Sequence, residues 1–183
     1  MIGAIIGDIV GSRFEFNNHR SKVFELFTPD CFATDDSIMT LAVAKALLET
    51  DQACVLLSPG RRLEADYLKL LGENTVCYLR EIGQKYPNCG YGGRFARWMF
   101  SDQPQPYHSF GNGSAMRISP VGFLAQTEAE VAALSRAVTA VTHDHSEGIK
   151  GAEATALAIF LARKGFSKSE IRQRMTRDYY PID

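Results

Sequence analysis

The chain has 183 residues, 45% of them apolar and 22% charged, enough to bury one substantial core within the size range of one ordinary domain. Its formal net charge of -1 gives no broad electrostatic reason for nucleic-acid binding, which needs a clustered basic face, but leaves room for a small polyanion in a local pocket. Cys31, Cys54, Cys77 and Cys89 are widely spaced and form no CxxC pair, so neither a zinc site nor a disulfide framework is indicated, and a cytoplasmic setting is expected.

The chain opens on an apolar run, Met1 to Val10, without a basic flank and interrupted by Gly3, Gly7 and Asp8. It therefore reads as neither a signal peptide nor a membrane span. Gly7-Asp8-Ile9-Val10-Gly11 leads on to Glu15, and in a helix Asp8 and Glu15 lie about two turns apart on one face. Two readings stand side by side: both carboxylates serve one site, or Asp8 caps a neighbouring element while Glu15 is solvated. Thr34-Asp35-Asp36-Ser37 then heads an apolar run over 38–50 that is predicted helical. Acidic residues at a helix start are ordinary N-terminal capping. Adjacent carboxylates beside a hydroxyl also repel one another and form the all-oxygen set that Mg²⁺ or Mn²⁺ prefers.

Further helices are predicted over 62–86, 127–141 and 146–164, where apolar residues recur three or four apart, and a short one over 92–100. Ser167 is an N-cap for another, with Glu170 in the capping-box position. Ser58-Pro59-Gly60 and Asp102-Gln103-Pro104-Gln105-Pro106 read as connections. No segment alternates like a strand, so the fold class is all-α, a single domain over 1–183. Tyr91-Gly92-Gly93 reads as a loop into the short amphipathic helix and part of a pocket wall. Ser109-Phe110-Gly111-Asn112-Gly113-Ser114-Ala115-Met116-Arg117 is a Gly-rich turn entering a short apolar segment that ends at Pro120. Its amides suit phosphate, Phe110 suits stacking on a base, and Arg117 either neutralises ligand charge or pairs with a carboxylate. A tight turn needing positive φ uses the same residues. Thr142-His143-Asp144-His145 follows a predicted helix end, where imidazoles serve either as C-terminal caps or as ligands.

The order of these motifs resembles the ADP-ribosylglycohydrolase family, and the resemblance spans nearly the whole chain. It rests on Gly7-Asp8-Ile9-Val10-Gly11 with Glu15, Thr34-Asp35-Asp36-Ser37, Tyr91-Gly92-Gly93, Gly111 to Arg117, and Thr142-His143. It implies an orthogonal multi-helix bundle with a two-ion Mg²⁺ or Mn²⁺ centre that binds the ribose of ADP-ribose and assists cleavage of an N- or O-glycosidic bond. The implied partners are an ADP-ribosylated protein or nucleoside and ADP-ribose itself. Carried over, Thr34, Asp35 and Asp36 are metal ligands, and Glu15 and Asp36 are the catalytic carboxylates. Ser109, Phe110, Gly111, Asn112 and Gly113 line the diphosphate and adenine side, with His143 also contacting ADP-ribose.

Family members also carry, further along, an Asp-x-Asp-Thr or Asp-x-Asp-Ser element that completes the metal site. Here nothing after Asp144 offers two carboxylates spaced by one residue, and Asp178 and Asp183 are isolated. The resemblance thus implies an N-terminal portion of the catalytic domain with an incomplete metal site. Two consequences are expected: a non-catalytic ADP-ribose or nucleotide binder as the alternative function, and exposed apolar surface that favours a homodimer.

Overall fold

The computed structural model describes residues 1–54 and 61–181; Ser58-Pro59-Gly60 lies outside them. Among the described residues there are eight α-helices and no strand. They are α1 (Ile2–Gly11), α2 (Asp35–Cys54), α3 (Ala65–Gly83), α4 (Gly93–Phe100), α5 (Ser119–Leu124), α6 (Glu128–Thr139), α7 (Ser146–Arg163) and α8 (Lys168–Asp178). Among the described residues no helix is long and apolar enough to cross a membrane. Cys31, Cys54, Cys77 and Cys89 are free thiols.

The helix starts follow side-chain chemistry. Thr127 accepts from the Glu130 amide at 3.1 Å to begin α6, while the Glu130 carboxylate accepts from the Gln126 amide at 2.8 Å. Ser167 and Glu170 form the expected capping box on α8. Pro120 corrects the reading from sequence: it begins α5 rather than ending a segment. A proline fits there because first-turn amides have no intrahelical acceptor to lose.

α2 lies at the centre, packed against α1, α3 and α5, and α7 lies against α5, α6 and α8. The α2 core face is unusually fine-grained: Ala42, Val43 and Ala46 are fully buried, so neighbouring helices approach closely. α3 contributes Tyr67, Leu71, Thr75 and Leu79, a four-residue ridge on one face. A polar tie crosses the layers. Asp51 of α2 accepts two bonds from Arg62, at 3.1 and 2.6 Å, and one from the Tyr67 hydroxyl at 2.8 Å. Arg62 also lies 3.7 Å from Glu130 of α6. Ile2 and Ile6 of α1, Leu41 and Leu48 of α2 and Phe123 of α5 are exposed.

Candidate active site

The site is built around the start of α2. Asp8, near the end of α1, accepts from the Thr34 amide at 2.9 Å and the Ser37 amide at 3.2 Å, and from both hydroxyls. Thr34 Oγ1 in turn accepts from the Asp36 amide at 3.3 Å. Asp8 and Thr34 therefore satisfy the amides that a helix leaves unpaired at its first turn. The capping reading of Asp8 holds, and it has a consequence: Asp35 and Asp36 are not needed as caps.

Released from capping, these carboxylates face a shared recess with little to neutralise them. Burial, then Asp36, Glu15 and Asp8, push the Asp35 carboxyl up to about 6. Burial, then Asp8 and Glu15, raise Asp36. The Asp35 amide donates to the Cys89 carbonyl at 2.7 Å, and next to it Gly90 takes φ +95. A Cβ at Gly90 would also meet Asp35 Oδ1 at 3.3 Å, so position and backbone both call for glycine. Glu15 sits just past a 3₁₀ turn, Ser12–Phe14, that follows α1, and it lines the same recess as Asp36. Among the described residues no three His, Cys, Asp or Glu side chains form a ready metal cage. The donor set is nonetheless all hard oxygen and short of positive charge, which fits a divalent cation in kind.

The facing wall comes from 107–117 and the α6–α7 corner. Arg117 is 1% exposed, lies over the Phe95 ring at 5.6 Å, and donates to Thr142 Oγ1 at 2.7 Å. Burial pulls its guanidinium down to about 10, still charged at neutral pH. Thr142 Oγ1 also lies 2.8 Å from His143 Nδ1, so one hydroxyl links the buried guanidinium to the imidazole. Burial and the cations Arg117 and Arg94 push His143 down to about 3, so the ring is neutral. His143 thus neither caps a helix C-terminus nor carries charge. His145 differs again from expectation: its Nδ1 accepts from the Glu147 amide at 3.0 Å and caps the start of α7. Gly113 is explained by close approach rather than by positive φ, since a Cβ there would lie 3.2 Å from the His143 ring.

Three adjoining hollows result. The first, about 630 Å³, includes Asp8, Glu15, Thr34 and Asp36 and no basic side chain. The second, about 450 Å³, shares Glu15, Asp36, Asn112 and Met116 with the first and adds Asp35, Arg94, Arg117 and His143. It also takes in Ser109, Gly111 and Gly113, so most of the residues expected on the substrate side meet there. Phe110 does not join them; it is 69% exposed beside the His145 ring, 5.2 Å away. Gly92, Gly93 and Arg94 bring the first turn of α4 to the second hollow, with no side-chain cap on its amides. Sequence reasoning assigned no role to Tyr107 or Thr142, whose parts depend on neighbours distant along the chain.

The sequence model of the ADP-ribosylglycohydrolase family matches residues 1–180. The chain belongs to the ADP-ribosylglycohydrolase family. Within it, the chain is similar to proteins named ADP-ribosylhydrolase ARH3. It is 28% identical to that of Mus musculus over 93% of this chain and 50% of the relative. The Homo sapiens protein gives 28% over 93% and 50%, and the Danio rerio protein 28% over 90% and 47%. The chain spans about half the length of these family relatives.

Proposed function

We propose that this chain carries the nucleotide-binding and carboxylate half of an ADP-ribosyl hydrolase that cleaves the N- or O-glycosidic bond joining ADP-ribose to a protein side chain or nucleoside. The observation that carries this reading is the charge arrangement of the second hollow. Unneutralised Asp35, Asp36 and Glu15 share it with Arg94, Arg117 and the uncapped start of α4. A ligand with a diphosphate in its middle and a reacting ribose at one end meets both demands.

In this reading the diphosphate lies toward Arg94, Arg117 and the Gly93 amide, with the neutral His143 ring beside it. The ribose lies toward Asp35 and Asp36. Thr34, Asp35 and Asp36 would hold Mg²⁺ or Mn²⁺, which supplies Lewis-acid polarisation of ribose oxygens when bound. Glu15 and Asp36, in the wall common to the first two hollows, are the carboxylates at the scissile bond. As water adds to the anomeric carbon and the bond to the acceptor breaks, a carboxylate takes a proton from the water and passes it to the leaving nitrogen or oxygen, which departs neutral. The acceptor then departs through the first hollow.

Incubation with ADP-ribosylated protein or nucleoside and Mg²⁺ tests this by following free ADP-ribose. Release is expected, lost with chelator and lowered about a hundredfold by Asp36→Asn. The lack of a ready three-carboxylate cage favours one other reading, a non-catalytic ADP-ribose binder. That reading predicts calorimetric binding of ADP-ribose that survives chelator, with no release at all.

A further inference from the structure

Past Arg94 and Tyr107 the trough continues into a third hollow of about 390 Å³, for which no role has been assigned. The three hollows form a charge series. The first has carboxylates and no basic group, the second has both signs, and the third has Arg94 and Arg97 with no acidic side chain in its lining. Asp102 lies in the same loop but outside that lining, and among the described residues neither arginine makes an ion pair with a carboxylate. Arg94 is fixed between the second and third hollows: it donates to the Tyr107 carbonyl and stacks over the Tyr107 ring at 4.9 Å. Arg97 is anchored through Nε on the Gly93 carbonyl at 3.3 Å, which spares its terminal nitrogens for a ligand. Ser101, Gln103 and Gln105 add neutral hydrogen-bonding groups, and Trp98 forms an aromatic wall.

We propose that this third hollow is an accessory phosphate subsite, taking a phosphate monoester carried on the adenosine end of the ligand bound in the second hollow. The inference rests on the reading of the second hollow as a nucleotide-diphosphate site. The direction follows from the charge series: the reacting ribose belongs with the carboxylates of the first two hollows, so the far end of the ligand is the one that reaches Arg97. Planar guanidinium forks match phosphate geometry, and an exposed, unpaired arginine has little to give up in binding it.

Trp98 is the sole tryptophan of the chain, so its emission reports on this hollow directly. Fluorescence titrations would compare ADP-ribose with ADP-ribose bearing a 2′-phosphate on its adenosine, at fixed low salt, in wild type, Arg97→Ala and Arg97→Lys. The phosphorylated ligand is expected to bind about tenfold tighter to wild type. Arg97→Ala should erase that advantage while leaving the affinity for ADP-ribose unchanged, and Arg97→Lys should keep part of it. Equal affinity of the two ligands, or an advantage that survives Arg97→Ala, overturns the proposal. If ADP-ribose itself does not bind, the second-hollow reading falls, and inorganic pyrophosphate then judges the third hollow alone. Quenching of Trp98 that disappears in Arg97→Ala upholds an anion subsite, and no quenching refutes it.

Discussion

At His143 a single side chain is set by three influences acting together: burial, two neighbouring cations and a hydroxyl hydrogen-bonded to Nδ1. The folded-state value near 3 lies below that of an unfolded histidine, about 6.5. On acidification the unfolded chain therefore takes up the proton first. The stabilisation that His143 contributes is complete above about pH 6.5 and is lost as pH falls toward the folded value, at roughly 1.4 kcal/mol per pH unit. Chemical denaturation of wild type and His143→Gln should show a gap at pH 7 that narrows by on the order of 2 kcal/mol at pH 4.5. A gap that stays constant would mean that the ring is not held neutral. Asp8 illustrates the same scale differently. Its acidity and its place beside two glycines are visible in the sequence, but its partners Thr34 and Ser37 lie 26 and 29 residues away. Only the docking of α1 on α2 shows that it caps α2 while also lining the first hollow with Glu15.

At the scale of elements, α5 depends on how closely it approaches α7. A Cβ on Gly122 would lie 2.7 Å from the Ala156 carbonyl oxygen and 2.8 Å from Ile159 Cβ, and neither backbone nor branched carbon can swing aside. Gly122→Ala is expected to destabilise the fold by about 1–3 kcal/mol through forced separation of the two helices. Gly3 of α1 has nothing within 4 Å of such a Cβ, so Gly3→Ala should be neutral or stabilising by up to about 1 kcal/mol. Urea midpoints of the two variants give the comparison, and similar losses in both would remove the packing argument. The helices themselves were largely legible: the 62–86 pattern became Ala65–Gly83, and 146–164 became Ser146–Arg163. The first turn of α2 is held not only by the adjacent Thr34 but by Asp8 from α1. The distance of that cap in sequence is why the pattern could not show it.

Over the whole molecule, Arg62 bridges Asp51 of α2 and Glu130 of α6, and the Tyr67 hydroxyl ties α3 to the same Asp51. The Arg62 and Asp51 side chains are 14% and 18% exposed, so removing the arginine leaves two poorly hydrated carboxylates together. Arg62→Ala should cost about 3 kcal/mol, whereas Tyr67→Phe, which removes one bond but leaves the charges paired, should cost about 1 kcal/mol. Equal losses in denaturant melts would show that the guanidinium is not the organising group. The same global arrangement produces the charge series of the three hollows, because α1 and the start of α2 contribute carboxylates while α4 and Arg117 contribute guanidiniums.

The helical class, most helix positions and the family were readable along the chain, because periodicity, capping residues and the order of motifs are local properties. The sequence also marked the carboxylates and the Gly-rich turn. How each motif is used was settled by packing. Asp8 became a cap and left Asp35 and Asp36 unneutralised, burial beside Arg117 and Arg94 kept His143 neutral, and Phe110 stayed outside the hollow. Such outcomes depend on burial and on charges that meet across tens of residues, and no local pattern encodes those distances.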